Sequence, residues 1–487
     1  ERPNPYSYEI MAVMTDRGEG IQASDEGALK QMLKAAQLGS TMAMRGVSLC
    51  YAQGSGIERD PKGAVEWAQK AIDRGNSKAM TAMGTYLHNG VGVKRDDEAA
   101  KQMFQHAVEL GDEEAMGHMG ELYLASAADA ETALSWFQKG TEAGDPASMF
   151  YLGGMYAAGR PVNLDLTQAV NLYRRSSDMG YGPAMNAMGE LIRFGRINGT
   201  MAEAIRWFRS SANAETPAGM RNLGEILAQQ GLGDPLKNDD NDNAKLAESI
   251  TWVTKAANAG DLLAMVDLGD ANLTGVGVPS NGFAASVWYK RAADAGNIPA
   301  TRKLGIMYSD GYYIAHDTAQ ADALLKKAAA AGDAPAMAAL GTLYENGGGK
   351  IEKDLNTARQ WYERAAELKD AGGYRGLAHL YQDVMNPPDL PRAVRYYEQA
   401  VALGDPKSME FLARMLDIGQ GVSKSPDNKA RAISLMQQAY KLTGSTTARD
   451  WLQSRDLPLD PATQPRGNSR EGRSGPMTNP AMPGRGR

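Results

Sequence analysis

Residues Asp261–Gly296 read DLLAMVDLGDANLTGVGVPSNGFAASVWYKRAADAG, and most of the chain restates this stretch with variations. It holds two helical patterns. The first is Ala-Met-x-x-Leu/Met-Gly-x-x-Tyr, seen in full at Ala336, Met337, Leu340, Gly341 and Tyr344. Its apolar residues recur at i, i+3 and i+4, the spacing of one helix face. The second is Ala-x-x-Trp-Tyr/Phe-x-x-Ala-Ala, as in Ala285, Trp288, Tyr289, Ala292 and Ala293. Between them, Gly275-Val-Gly277 signals a turn.

The closing glycine recurs as Gly39, Gly75, Gly111, Gly144, Gly180, Gly260, Gly296, Gly332 and Gly404, with Glu215 and Lys369 in the same place in two copies. Most steps are close to 36 residues; the one long step runs from Glu215 to Gly260. A fixed period of this size predicts a solenoid. Glycine at these positions ends a helix in the left-handed conformation without penalty, and the Asp or Asn that follows most of them is suited to cap the next helix. A second glycine row lies inside the first pattern, at Gly84, Gly120, Gly153, Gly189, Gly224, Gly269, Gly305 and Gly341. Mid-helix glycine costs roughly 1 kcal/mol against alanine. Its recurrence predicts close helix–helix approach, with Ala256–Ala257, Ala292–Ala293, Ala328–Ala329 and Ala365–Ala366 facing it. Trp67, Trp136, Trp207, Trp252, Trp288 and Trp361 share one register position and are expected as core knobs between copies.

At 487 residues the chain is too long for one ordinary core, a limit that a solenoid escapes because each copy packs only on its neighbours. Helical spacing excludes leucine-rich and β repeats. We expect an arm over 1–24, extended at Pro3 and Pro5, then a capping half repeat over 25–39. The repeats follow over 40–444, a C-terminal cap closed by Trp451 and Leu452 over 445–460, and a tail over 461–487. Five arginines against one glutamate give the tail about +4, and its Pro, Gly and Ser content is too poor in apolar residues to fold alone. The net charge of −6 does not suit nucleic acid, and no apolar run reaches transmembrane length. The lone Cys50 sits in a first-type helix as a small apolar residue.

No catalytic set emerges. His88, His106, His118, His316 and His379 form no HExxH pair. The Gly-x-Gly turns follow helices rather than strands, unlike nucleotide loops, and no Gly-x-Ser-x-Gly element occurs. The largest irregularity is a turn expanded over 229–245. Within it Asp239, Asp240, Asn241, Asp242 and Asn243 offer oxygen ligands, but the glycine and glutamate of a calcium loop are missing, so the run is read as a solvated loop leading into a helix and able to touch a partner.

The recurring motifs resemble the Sel-one-like repeat (SLR) family, a slightly longer relative of the tetratricopeptide repeat, over about residues 25–452 in about eleven copies. The resemblance implies an all-α, right-handed superhelical solenoid of helix-turn-helix repeats with no enzymatic activity and no cofactor, working by binding another protein. In such solenoids the first helix of each copy lines the binding face. Here that places Phe150, Tyr151, Arg221, Asn222, Asp267, Arg302 and Lys303 on it, with Glu121, Glu190, Glu225 and Asp270 in the row after the mid-helix glycine. The family supplies envelope adaptors, host-interaction factors and immunity proteins. Its expectation for this acidic chain, which begins at Glu1 without Met as a processed or trimmed chain would, is a periplasmic immunity protein that occludes the active site of a type VI secreted, phospholipase D-like lipase toxin. An envelope assembly or signalling adaptor, or a host-interaction factor, is the alternative.

Overall fold

The structure, a computed structural model, describes residues 4–17, 24–124, 129–232 and 240–459. Among the described residues there are twenty-five α-helices and no strand, apart from an isolated bridge between Gly348 and Ile351. The chain divides into two units, one ending at Pro279 and one beginning at Ser280.

In the first unit each copy is an antiparallel pair, for example Ser77–Asn89 with Asp97–Glu109, or Gly182–Arg193 with Met201–Asn213. The second helix packs on its own first helix and on the first helix of the next copy, and successive first helices touch. The second unit builds the same way, with Ile298–Asp310 on Thr318–Ala330, then Ala334–Asn346 on Leu355–Glu367. Caps fix the helix starts. Asn76, Asp145, Asp261, Asp333 and Asp405, each after a left-handed glycine, accept hydrogen bonds from backbone N–H groups two or three residues on.

Glu215 and Lys369 keep the left-handed backbone of the glycines they replace, at φ 55° and 59°. A side chain there costs roughly 1–2 kcal/mol, partly offset by the extra unfolded-state freedom of glycine. Lys369→Gly is therefore expected to stabilise its repeat by about 0.5–1 kcal/mol. A lowered urea midpoint in that variant would refute this.

Three expectations need correction. The first concerns the mid-helix glycines, which face an aromatic or branched residue and not the alanine pairs. A Cβ added at Gly189 would lie 2.6 Å from the Phe208 ring, and at Gly84 2.5 Å from Phe104; Gly153, Gly224, Gly305 and Gly341 meet Tyr173, Val253, Leu325 and Tyr362. The alanine pair Ala365–Ala366 instead receives Gly373 of the next copy.

The second concerns the tryptophans. The residue after each is the core residue: Phe137, Phe208 and Tyr289 are 0–1% exposed. The tryptophans themselves are half-buried at the edge. Five carry a cation three residues on over the ring, as Lys70 does 4.1 Å from Trp67 and Arg291 4.5 Å from Trp288.

The third concerns the irregular segments. The N-terminal stretch is a helix, Pro5–Arg17, packed on Asp25–Gln37, because proline is compatible with the first helical position. The expanded turn is shorter than 229–245, since the preceding helix runs to Gly231 and the next begins at Asp240. Residues 233–239, the side chains of Asp240 and Asn241, and the 461–487 tail lie outside the described residues. In the copy that lacks the glycine turn, Ala371–His379 continues into a π-helical turn, Leu380–Val384.

Thr446–Gln453 closes the second unit, with Leu452 fully buried and Trp451 packed beside it under Arg455.

Candidate protein-binding surface

Because successive first helices touch, equivalent residues one copy apart come within side-chain reach. The sequence-selected positions on this face are largely engaged with one another. Asn222 is 4% exposed; its amide nitrogen donates to Asn186 Oδ1 at 2.8 Å and to Glu190 Oε1 at 3.0 Å. Glu190 also accepts from Asn186 at 3.0 Å. Glu225 takes Arg193 at 3.1 Å and also pairs with Arg221. Arg221 reaches on to Asp261 at 3.4 Å. Across Gly182–Arg193, Pro217–Gly231 and Leu262–Thr274 this makes a ladder of alternating charge and amide groups, half-buried and preorganised.

Asp267 stands at the end of that ladder. One of its carboxylate oxygens is buried without a hydrogen bond. Burial, with Glu225 adding to it, pushes the carboxyl up to about 6. Asp267, Asp270 and Glu225 share a 330 Å³ cavity with the apolar side chains of Leu246, Ile250 and Val253.

Phe150 and Tyr151 are not a free aromatic platform. Both are half-buried: Phe150 packs against Tyr151, Tyr173 and Tyr181, and Tyr151 stacks on Phe137 at 5.0 Å. The Tyr151 hydroxyl donates to Glu121, which His118 also holds at 2.9 Å. Burial works against the His118 cation, but Glu121 outweighs it and the imidazole titrates above its ordinary value. In the second unit Arg302 lies 3.2 Å from Asp333, and Lys303 sits 5.6 Å over the Tyr289 ring. Asp242 pairs with Lys245 at 3.3 Å inside a helix rather than in a loop; Asp239 is outside the described residues.

Periodicity placed these side chains on one face. It did not show their mutual bonding, which depends on register between copies. Nor did it single out Arg193 and Asn186, whose signal was their spacing of 32 and 36 residues from Glu225 and Asn222. Among the described residues no group of three metal-ligating side chains converges, and no helix is long and apolar enough to cross a membrane.

Stacked helix pairs with a shared polar face define a helical repeat scaffold that binds other proteins. The particular family follows from the Sel1 repeat model, which matches eleven consecutive segments between residues 41 and 443. The chain belongs to the Sel1 repeat family. Among solved structures it is similar to a protective antigen of uropathogenic Escherichia coli strains that displays an SLR fold. That match has 24% identity and a TM-score of 0.50, covering 89% of this chain and 84% of the antigen. A Sel1 repeat protein from Oxalobacter formigenes matches at 22% identity and a TM-score of 0.36, over 58% of this chain and 96% of its own. Immunity protein Pa5087 from Pseudomonas aeruginosa matches at 21% identity and a TM-score of 0.34, over 44% of this chain and 81% of its own. No curated protein matches the sequence.

Proposed function

We propose that this chain is a non-enzymatic scaffold of the bacterial envelope that seats a partner protein on its first-helix face. The more specific reading is a periplasmic immunity protein that covers the active-site entrance of a phospholipase D-like secreted toxin. The observation that carries the protein-binding reading is the ladder from Asn186 to Asp261. Its side chains are already ordered before a partner arrives, which lowers the entropic cost of association, and its mixed charge favours a partner of complementary pattern. Support for the toxin comes from the family resemblance.

The test is inhibition. Purified chain is added to a phospholipase D-type toxin acting on phosphatidylcholine vesicles, alongside an Arg221→Glu variant. We expect stoichiometric inhibition, weakened about tenfold or more in the variant because reversing one ladder charge misplaces its neighbours. Full toxin activity at excess chain, with envelope assembly machinery recovered in its place from cell extracts, would replace the immunity reading with the adaptor.

A further inference from the structure

The second unit holds a 740 Å³ cavity on its first-helix face, between Ile298–Asp310, Ala334–Asn346, Ala371–His379 and Pro406–Ile418. Gly372 and Gly376 line its wall, closely packed: a Cβ at Gly372 would stand 2.9 Å from Asp370 and 3.2 Å from Ala338, and one at Gly376 2.2 Å from the Tyr362 ring. Ile306, Pro335 and Ala339 supply apolar surface. At the floor is Tyr397, fully buried and stacked on Phe411 at 5.5 Å, with a hydroxyl that has no hydrogen-bond partner. An unpartnered buried hydroxyl costs free energy that a ligand atom can recover.

Two of the three carboxylates of this cavity are paired with cationic or imidazole groups, and the third, Asp370, spends one oxygen on a helix cap. Glu345, 7% exposed, accepts from Tyr362 at 2.8 Å and from His379 at 2.8 Å. Asp405 holds Arg375 and caps Ser408 at 2.8 Å. Asp370 caps Gly373 at 2.8 Å. The capacity left over is mostly donor capacity. Arg302 meets Asp333 only through Nε, at 3.2 Å and off the hydrogen-bond axis. Arg375 uses one guanidinium nitrogen. Lys407 is exposed and forms no ion pair among the described residues.

We propose that this cavity is a docking site for an acidic segment of a partner protein, glutamate side chains meeting Arg302, Arg375, Lys407 and the Tyr397 hydroxyl while an apolar neighbour lies on Ile306 and Ala339. The proposal rests on the reading that the chain binds a protein, and it adds where and with what chemistry. Unused N–H groups on Arg302, Arg375 and Lys407, against one open carboxylate oxygen on Asp370, favour carboxylates over amines, and the volume suits several residues rather than one side chain.

Calorimetric titration of the full chain tests this. The probe is a five-residue peptide alternating glutamate and leucine, acetylated and amidated so that its carboxylates are all on side chains. Its lysine counterpart and an acetylated trileucine with a free C-terminus are the comparisons. We expect the glutamate peptide alone to bind, with Lys407→Glu and Arg302→Gln each weakening it about tenfold. Tyr397→Phe, which removes an unpartnered buried hydroxyl, should weaken it several-fold while thermal stability holds or rises slightly. Equal or tighter binding of the lysine peptide would overturn the proposal. So would binding of the trileucine alone, no binding at millimolar peptide, or binding that ignores the three variants. No toxin is present, so failure of the toxin reading leaves this result standing, and failure here leaves the charge ladder of the first unit untouched.

Discussion

Replacing Phe208 with alanine is expected to cost its repeat about 3–5 kcal/mol, while Trp207→Ala next to it should cost roughly 1–2 kcal/mol. The larger residue has the smaller effect because of where each points. Phe208 is 0% exposed and lies against Gly189; Trp207 is half-buried. Removing the ring leaves a void between Gly182–Arg193 and Met201–Asn213 that neither helix can close. The partner substitution, Gly189→Ala, is expected to cost about 1–3 kcal/mol by overpacking, since its Cβ would stand 2.6 Å from that ring. Combined with Phe208→Leu, which vacates the space, Gly189→Ala should cost much less than alone, a positive coupling in a double-mutant cycle. Hydrogen exchange of amides in these two helices gives the local readout. Additive effects would show that the glycine row has another cause.

Asp267→Asn is expected to stabilise the first unit by about 2 kcal/mol at pH 8 and by nothing measurable near pH 4. Burial and Glu225 raise the Asp267 carboxyl from 3.8 to about 6. A raised acid binds its proton more tightly in the folded chain than in the unfolded one. Ionising it therefore burdens the fold: the burden is absent below the unfolded value, grows through the window from about 4 to about 6, and is complete above it. About two pH units correspond to roughly 3 kcal/mol, reduced here by the partial exposure of the group. Asparagine has the shape without the charge. Urea midpoints of both proteins across pH 4–8 supply the check, and a gain independent of pH would mean that the charge is not the cause.

Much of this architecture was legible because a solenoid writes its contacts into local spacing. The glycines from Gly39 to Gly404, the caps after them and the repeat length all follow from residues within one copy. Glu215 and Lys369 were placed correctly at the glycine position because register predicts the turn even where the residue resists it. Trp207 and Phe208 show the limit. Adjacent residues on a helix differ by about 100° in direction, and both are apolar, so which one enters the core depends on the neighbouring helix. The exposure expected of Phe150 and Tyr151 met the same limit, since both are half-buried against Phe137, Tyr173 and Tyr181 of neighbouring segments. The cavity around Tyr397 lay further from view, since four first helices spread over more than a hundred residues build it.

Asn186 and Asn222 are bonded across one repeat length, and Arg193 and Glu225 nearly so. Such a lattice commensurate with its own period can be spliced. A recombination joining equivalent points of two copies would lengthen or shorten the array by a whole unit while keeping caps, glycine–ring contacts and the rungs of the ladder in phase. A cut of another length within the rung-bearing part of a helix would throw its later rungs out of step. The long copy between Glu215 and Gly260 instead takes up its extra residues around its turn, in the longer helices Pro217–Gly231 and Asp240–Asn258, and keeps the Arg221–Asp261 rung. Growth by whole units therefore gives such a chain a way to gain or lose partner-facing surface without redesigning its core.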